Sequence, residues 1–392
     1  MSNTMKMAVI LGALSAIPPI GTDLYIPAFP LICESFGAPA AQVQLSLTAM
    51  LLGLACGQVF IGPLSDIYGR KKLLLLSLVI FILSSYGCAV SSAAESFIAL
   101  RFVQGISGSG GVVLSRAIAY DIYKGHELTR FIALIMVING AAPVFAPLLG
   151  GQIINFFDWH YIFLFLGFCG LLLFLGSFFW LTETLKTENR SSPDFRSVLG
   201  SFAGLFGNRP YAACLAVHCF FMGGLFGYIA AAPFILQLLY GLTPVQTSIV
   251  FGVNGIGMIA AVRAASFLIM RFDERQQLKT AIIVSLGGSC LLLAADFFRL
   301  LSLPALLGLL FIIASCVGVG ECNSFSLAMQ HIRTGAGGAA GLLGIGSFLL
   351  GAAVSPLAGI NGASVETMAS VLIAAYALAL WAFSHIPSRA GR

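Results

Sequence analysis

Of the 392 residues, 59 % are hydrophobic and only 9 % are charged, and the mean hydropathy is +0.98. Soluble domains are about one-quarter charged, so this composition excludes a water-facing globular protein. The net charge of +5 follows membrane topology rather than nucleic-acid binding, and nine cysteines without a CxxC pair indicate neither a metal framework nor a disulfide scaffold.

Twelve apolar runs follow one another at 6–31, 42–65, 72–91, 96–122, 131–154, 159–182, 209–238, 243–270, 278–297, 303–330, 336–359 and 364–386. Each is long enough to cross a hydrocarbon core of about 30 Å as a helix. They are too long for barrel strands and lack period-two alternation. The expected fold is therefore an all-α membrane protein with twelve transmembrane helices. Lys6 precedes the first run, but no small-residue cleavage site follows, so that helix is expected to stay in the mature protein. Sixteen of the twenty Lys and Arg fall on one side of this threading, including Arg70, Lys71, Lys72, Arg333, Arg389 and Arg392, and only Arg299 falls on the other. The positive-inside rule places both termini in the cytosol.

The first run contains "PPIGTDLYIPAFPL", residues 18–31, which sets a carboxylate, Asp23, among Pro18, Pro19, Pro27 and Pro30. Proline frees backbone carbonyls, which is tolerated in a membrane where the helix lines a cavity or is covered by protein.

The second run ends in "GPLSDIYGRKK", residues 62–72. Gly62 allows close helix approach. Asp66, at a helix end, can accept backbone N–H groups from another helix's N-terminus, and Arg70 can fork onto a second carboxylate. Gly62, Leu64, Ser65, Asp66, Gly69, Arg70 and Lys71 resemble the G-x-L-[SA]-D-x-x-G-R-[KR] signature of the major facilitator superfamily. The resemblance implies a monomer of two pseudo-symmetric six-helix bundles. It also implies a cytosolic latch, with Asp66 against the start of helix eleven and Arg70 paired with Asp121 at the end of helix four.

The fourth run carries "LRFVQGISGSGG", residues 100–111, similar to the superfamily's R-x-x-Q-G motif with Arg101, Gln104 and Gly105 in register. Counted from the predicted outer ends at 1.5 Å per residue, Asp23 and Arg101 differ in depth by only about 5 Å. Both are costly in lipid, so the economical arrangement has them face one polar cavity, with Tyr25 and Gln104 as candidate lining residues. There Asp23 would exchange protons and Arg101 would tune it. Two alternatives stay open: Arg101 snorkels to the outer interface, or Asp23 is a structural acid locked to it. The stretch D-L-Y-x-P-x-x-P resembles the first helix of drug:proton antiporters of the bicyclomycin-resistance type.

The fifth run, "NGAAPVFAPLLGGQ" at 139–152, looks like the antiporter motif G-x-x-x-G-P-x-x-G-G. Pro147, Gly150 and Gly151 match, while Ala142 and Ala146 replace glycines, which weakens the assignment of direction. The hydrophilic stretch from Thr182 to Pro210 then divides the runs six and six. The expected organisation is a bundle over 1–182, a cytosolic loop over 183–208 and a second bundle over 209–392. Gly108-x-Gly110 recurs as Gly318-x-Gly320, and Pro147-Leu-Leu-Gly150 as Pro356-Leu-Ala-Gly359, at offsets of about 210 residues.

In the second half the repeat sets Phe311 opposite Arg101. Arg263 and Glu321 could pair across helices eight and ten. His218, Phe221, Leu225 and Tyr228 share a face of the seventh run. They form an aromatic wall for a ligand or, in a chain with 32 Phe, ordinary packing. No nucleotide loop, metal cluster or catalytic constellation is present, so neither an enzyme nor a cofactor is expected, and the proton gradient would supply the energy. The expected function is proton-coupled efflux of lipophilic or amphipathic drugs across a bacterial cytoplasmic membrane. The expected partners are substrate, protons and lipid, with no nucleic acid. A proton-coupled carrier of a specific metabolite is the alternative, and a non-transporting sensor or scaffold is a third class.

Overall fold

The structure, a computed structural model, describes residues 3–186, 188, 190, 195–332 and 335–387. Arg333, Arg389, Arg392 and part of the 183–208 stretch lie outside the described residues. Every element among the described residues is helical, as lipid requires of a chain that must satisfy its backbone internally. Among the described residues, eleven helices are long and apolar enough to cross a membrane, and a bent pair, counted as one, makes a twelfth span.

The first span is assembled from α1 (Asn3–Ser15), α2 (Ile17–Asp23), a 3-10 turn (Ile26–Ala28) and α3 (Phe29–Phe36), with a 43° bend after Ser15. It runs to Phe36, beyond the expected end near residue 31. Pro27 and Pro30 sit in the first turns of new helical segments, where a missing N–H costs nothing, rather than ending the span. Spans two to six are α4 (Ala40–Tyr68), α5 (Arg70–Ala89), α6 (Ala94–Ile122), α7 (Gly125–Phe156) and α8 (His160–Trp180). The expected loop at 183–208 contains a further helix, α9 (Phe195–Gly207). Its apolar residues recur at helical spacing on one side, the pattern of a helix lying in a membrane interface. Spans seven to twelve are α10 (Arg209–Phe234), α11 (Pro244–Leu268), α12 (Glu274–Phe297), α13 (Leu303–Gln330), α14 (Ala336–Val354) and α15 (Val365–Ser384).

The helices form two compact units, Met1–Phe195 with Thr243–Ile249, and Arg196–Leu242 with Val250–Arg392. In the first unit α4 and α6 cross in backbone contact. A Cβ on Gly53 would overlap the Phe102 carbonyl oxygen, and one on Gly105 would overlap that of Met50. Leu11, Leu14, Leu74, Phe81, Leu114 and Ile118 form the core beside this crossing. In the second unit α10 packs on α13, α14 and α15. The Tyr211 hydroxyl donates to the Ala339 carbonyl at 2.7 Å.

Candidate functional site

The break in the first span determines what surrounds Asp23. Pro18 cannot donate to the Leu14 carbonyl, and α2 stops at Asp23, so the carbonyls of Leu14, Gly21 and Leu24 are released from regular helical pairing. Each meets another span. Leu14 faces Gly111 on α6, and Leu24 faces Gly150 on α7, where a Cβ at either glycine would overlap the oxygen. The Gly21 carbonyl accepts from Arg101 Nη2 at 2.9 Å.

Arg101 is fully buried, so it does not snorkel. Its Nη1 donates to Gln104 Oε1, whose amide donates to Ser85 on α5 at 2.7 Å. Its guanidinium carbon lies 4.2 Å from the Tyr25 ring centroid and 5.5 Å from that of Phe163, within cation–π range. The Tyr25 hydroxyl reaches Ser46 on α4 at 3.2 Å.

Asp23 is 8 % exposed and accepts from the Thr22 hydroxyl at 2.9 Å. It makes no ion pair with Arg101. The alternative in which Asp23 is a structural acid locked to Arg101 is therefore not the arrangement found. The arginine holds the backbone two residues before the carboxylate, because a carbonyl released by the helix break supplies the acceptor instead. Tyr25 and Gln104 are enclosed partners of Arg101.

A second cluster lies at the α4–α5 loop. Arg70 pairs with Asp66 at 2.6 Å and with Asp121, at the end of α6, at 3.3 Å, and it also contacts Ser65. Gly69 precedes α5 with φ of 96°, a conformation that favours glycine, and as the N-cap it offers no side-chain oxygen. Glu183, just after the sixth span, supplies the acceptor. Its carboxylate takes the backbone N–H of Arg70 at 2.9 Å and of Lys71 at 3.2 Å, while Thr184 donates to Asp121 at 2.8 Å. Sequence reading missed Glu183, Thr184 and Ser85; their signal, polar residues at a span end or at membrane depth, is weak. Gly62 is not needed for close approach, since a Cβ there would meet only Val113 at 3.8 Å.

Other expected residues are dispersed. Pro147 lies inside α7, followed by Gly150 against Leu24 and the buried Gly151. Phe221 is fully buried against Tyr376, with ring centroids 5.5 Å apart, so it packs the second unit's core. Tyr228 accepts from Asn254 at 2.7 Å and is also enclosed. His218 Nδ1 lies 2.9 Å from the Ser324 hydroxyl. Arg263 is exposed and forms no ion pair with Glu321, so the pairing left open by the sequence is not made.

Twelve spans in two units, with charged groups buried at membrane depth, define a secondary transporter. The family model described as Major Facilitator Superfamily matches residues 11–356. The chain belongs to that superfamily, whose members are transporters rather than enzymes. It is 38 % identical over 385 residues to the "Uncharacterized MFS-type transporter YdgK" of Bacillus subtilis (strain 168), covering 97 % of this chain and 94 % of that one. It is 31 % identical over 374 residues to the "Bicyclomycin resistance protein homolog" of Haemophilus influenzae, covering 94 % and 92 %. A solved D-xylose–proton symporter superimposes with a TM-score of 0.78 over both whole chains at 14 % identity, a likeness of fold alone.

Proposed function

We propose that this transporter exports lipophilic or amphipathic drugs in exchange for protons, as a monomer in a bacterial cytoplasmic membrane with both termini in the cytosol. The observation that carries the reading is Asp23. It is a buried carboxylate at a break in the first span, hydrogen-bonded to a hydroxyl and left without a cationic partner. An unpaired charge is costly there, so Asp23 is assigned as the proton-exchanging group, with Arg101 as its neighbour across the break. No bound cofactor enters the cycle; the proton gradient drives it. The Asp66–Arg70–Asp121 cluster is assigned as the cytosolic latch. The relative named for bicyclomycin resistance supports a drug as cargo.

The test is proton release from purified protein in weakly buffered detergent on adding lipophilic antibiotics and dyes. Wild type is expected to release protons and a folded Asp23→Asn none. Equal release from both removes Asp23 from the mechanism. No release from either favours a carrier of a specific metabolite.

A further inference from the structure

The second unit holds one acid well inside a span, Glu321 on α13. It lies nine residues, about 14 Å, before the helix end at Gln330. Among the described residues its carboxylate has neither a hydrogen-bond donor nor an ion-pair partner, although the residue is only partly buried. Other polar groups nearby are committed elsewhere. The Ser324 hydroxyl donates to the Glu321 backbone carbonyl at 3.1 Å and also contacts His218. One turn on, Glu274 of α12 takes Ser326 at 3.0 Å and Gln330 at 2.5 Å, and Gln277 takes Asn323 at 3.1 Å.

Among the described residues, Glu321 forms no ion pair with Arg275 or Lys279 of α12 or with Arg263 of α11. The other titratable groups nearby are His218 of α10, held at the Ser324 hydroxyl and beside the Glu321 backbone, Glu274 of α12, which is of like charge, and Cys322 on the same helix. The α14 sequence, AGGAAGLLGIGSFLLGAAV, has no titratable side chain. Phe325, four residues after Glu321 and therefore on the same helical face, is itself partly exposed, with its ring 6.3 Å from that of His218. A carboxylate with an open aromatic ring one turn away is complementary to a monovalent organic cation. The acid supplies the opposite charge, and the rings supply polarizable apolar surface.

We propose that Glu321 is the second unit's docking group for the cationic centre of a lipophilic monocation, with Phe325 and His218 as its aromatic flank. This deepens the drug-export reading and rests on it. It narrows the cargo to compounds carrying one buried positive charge, and it separates substrate binding at Glu321 from proton exchange at Asp23.

The probe is tetraphenylphosphonium, with neutral triphenylmethane-type compounds of similar size as the control, bound to purified wild type, Glu321→Gln and Glu321→Asp. Glu321→Gln is expected to weaken binding of the monocation by about tenfold or more. Binding of the neutral compound should stay within about twofold, and Glu321→Asp should fall between. Unchanged monocation binding in Glu321→Gln overturns the proposal, as does an equal loss for both probes or no binding to wild type. If Glu321→Gln fails to fold, carbodiimide labelling of wild type decides. Tetraphenylphosphonium should protect Glu321 from modification, and absence of protection overturns the assignment. Proton release measured in parallel keeps the two readings apart: release that depends on Asp23 beside unchanged binding in Glu321→Gln removes this inference and leaves drug:proton exchange standing.

Discussion

The two units share a helical plan, yet they treat equivalent positions in opposite ways. In the first, a broken span presents free carbonyls, and a buried arginine on the fourth span takes one of them. In the second, the seventh span is α-helical from Arg209 to Phe234 and passes without a bend into a π-helical turn over Ile235–Leu239, so most of its carbonyls are spent internally. The residue set opposite Arg101 by the repeat is Phe311, which is 39 % exposed. The break and the arginine therefore belong together. A guanidinium buried in a membrane needs acceptors, and a helix surrenders backbone acceptors only where it is interrupted. Opposite the continuous seventh span, the tenth span carries no arginine. Glu321 stands outside this scheme as an acid without a backbone or cationic partner.

The largest expected effect tests that coupling. Arg101→Ala leaves the Gly21 carbonyl and Gln104 without their charged donor, and should cost about 3 kcal/mol or more in stability, with transport lost. Phe311→Ala at the equivalent position should cost less than half as much, because its ring is already partly exposed. Thermal melting of both variants in detergent checks the contrast, and equal losses would break it. Next in size is Gly150→Ala. Its methyl would overlap the Leu24 carbonyl at the break, an overpacking worth about 1–3 kcal/mol. Gly308→Ala in the second unit meets open space, so its melting temperature should not fall.

A smaller effect separates the two ways of starting equivalent helices. The ninth span is capped from within: Asp273 accepts the Gln276 N–H at 2.7 Å, and Gln276 reaches back to Asp273. The third span begins after a glycine and borrows the Glu183 carboxylate from far along the chain. Glu183→Ala and Asp273→Ala should each cost about 1 kcal/mol. Only the first should also raise the labelling rate of a cysteine placed at Lys72, because only there does the cap hold the latch loop. Equal labelling in both variants would mean that the borrowed cap does no more than an ordinary one.

The spans could be read from sequence because a membrane forces long apolar runs into helices, and the freed carbonyls of the first span followed from its prolines, although its division into separate segments did not. Its extension to Phe36 was not legible, because a proline that ends one helix and a proline that begins another look alike in sequence. Helix α9 hid within a stretch whose charged flanks suggested a loop. Asp23 and Arg101 were conspicuous at their depth, but depth does not determine rotation, and the true acceptor of Arg101 is a carbonyl that no side-chain pattern displays. Glu183 was invisible for another reason: its partners lie more than a hundred residues away, and a carboxylate just past a span end is unremarkable. For Arg263 and Glu321 the sequence left pairing open, because opposite charges at similar depth do not fix which way each side chain points, and the structure forms no ion pair between them.

The smallest effect concerns the sixth and twelfth spans, which begin on different acceptors. Ser364 takes the Thr367 N–H at 3.1 Å through a hydroxyl that does not titrate. Asp158, beside a recess of about 460 Å³ lined also by Glu34 and Trp159, takes the His160 N–H at 3.1 Å and contacts its imidazole. Partial burial pushes the Asp158 carboxyl up, but the hydrogen bonds and charge of His160 outweigh it and hold the carboxyl below its ordinary value. A carboxyl lowered by folding stabilises the folded state fully above its unfolded value of about 3.9. It loses that contribution as the pH falls through the lower folded value. With its side chain 58 % exposed, the effect is screened to at most a few tenths of a kcal/mol. Asp158→Asn should therefore melt slightly below wild type at pH 7, and the gap should close as the pH falls below about 4. Ser364→Ala should show a gap that does not change over the same range. A gap for Asp158→Asn that persists under acid would mean the amide loses something other than charge at this cap.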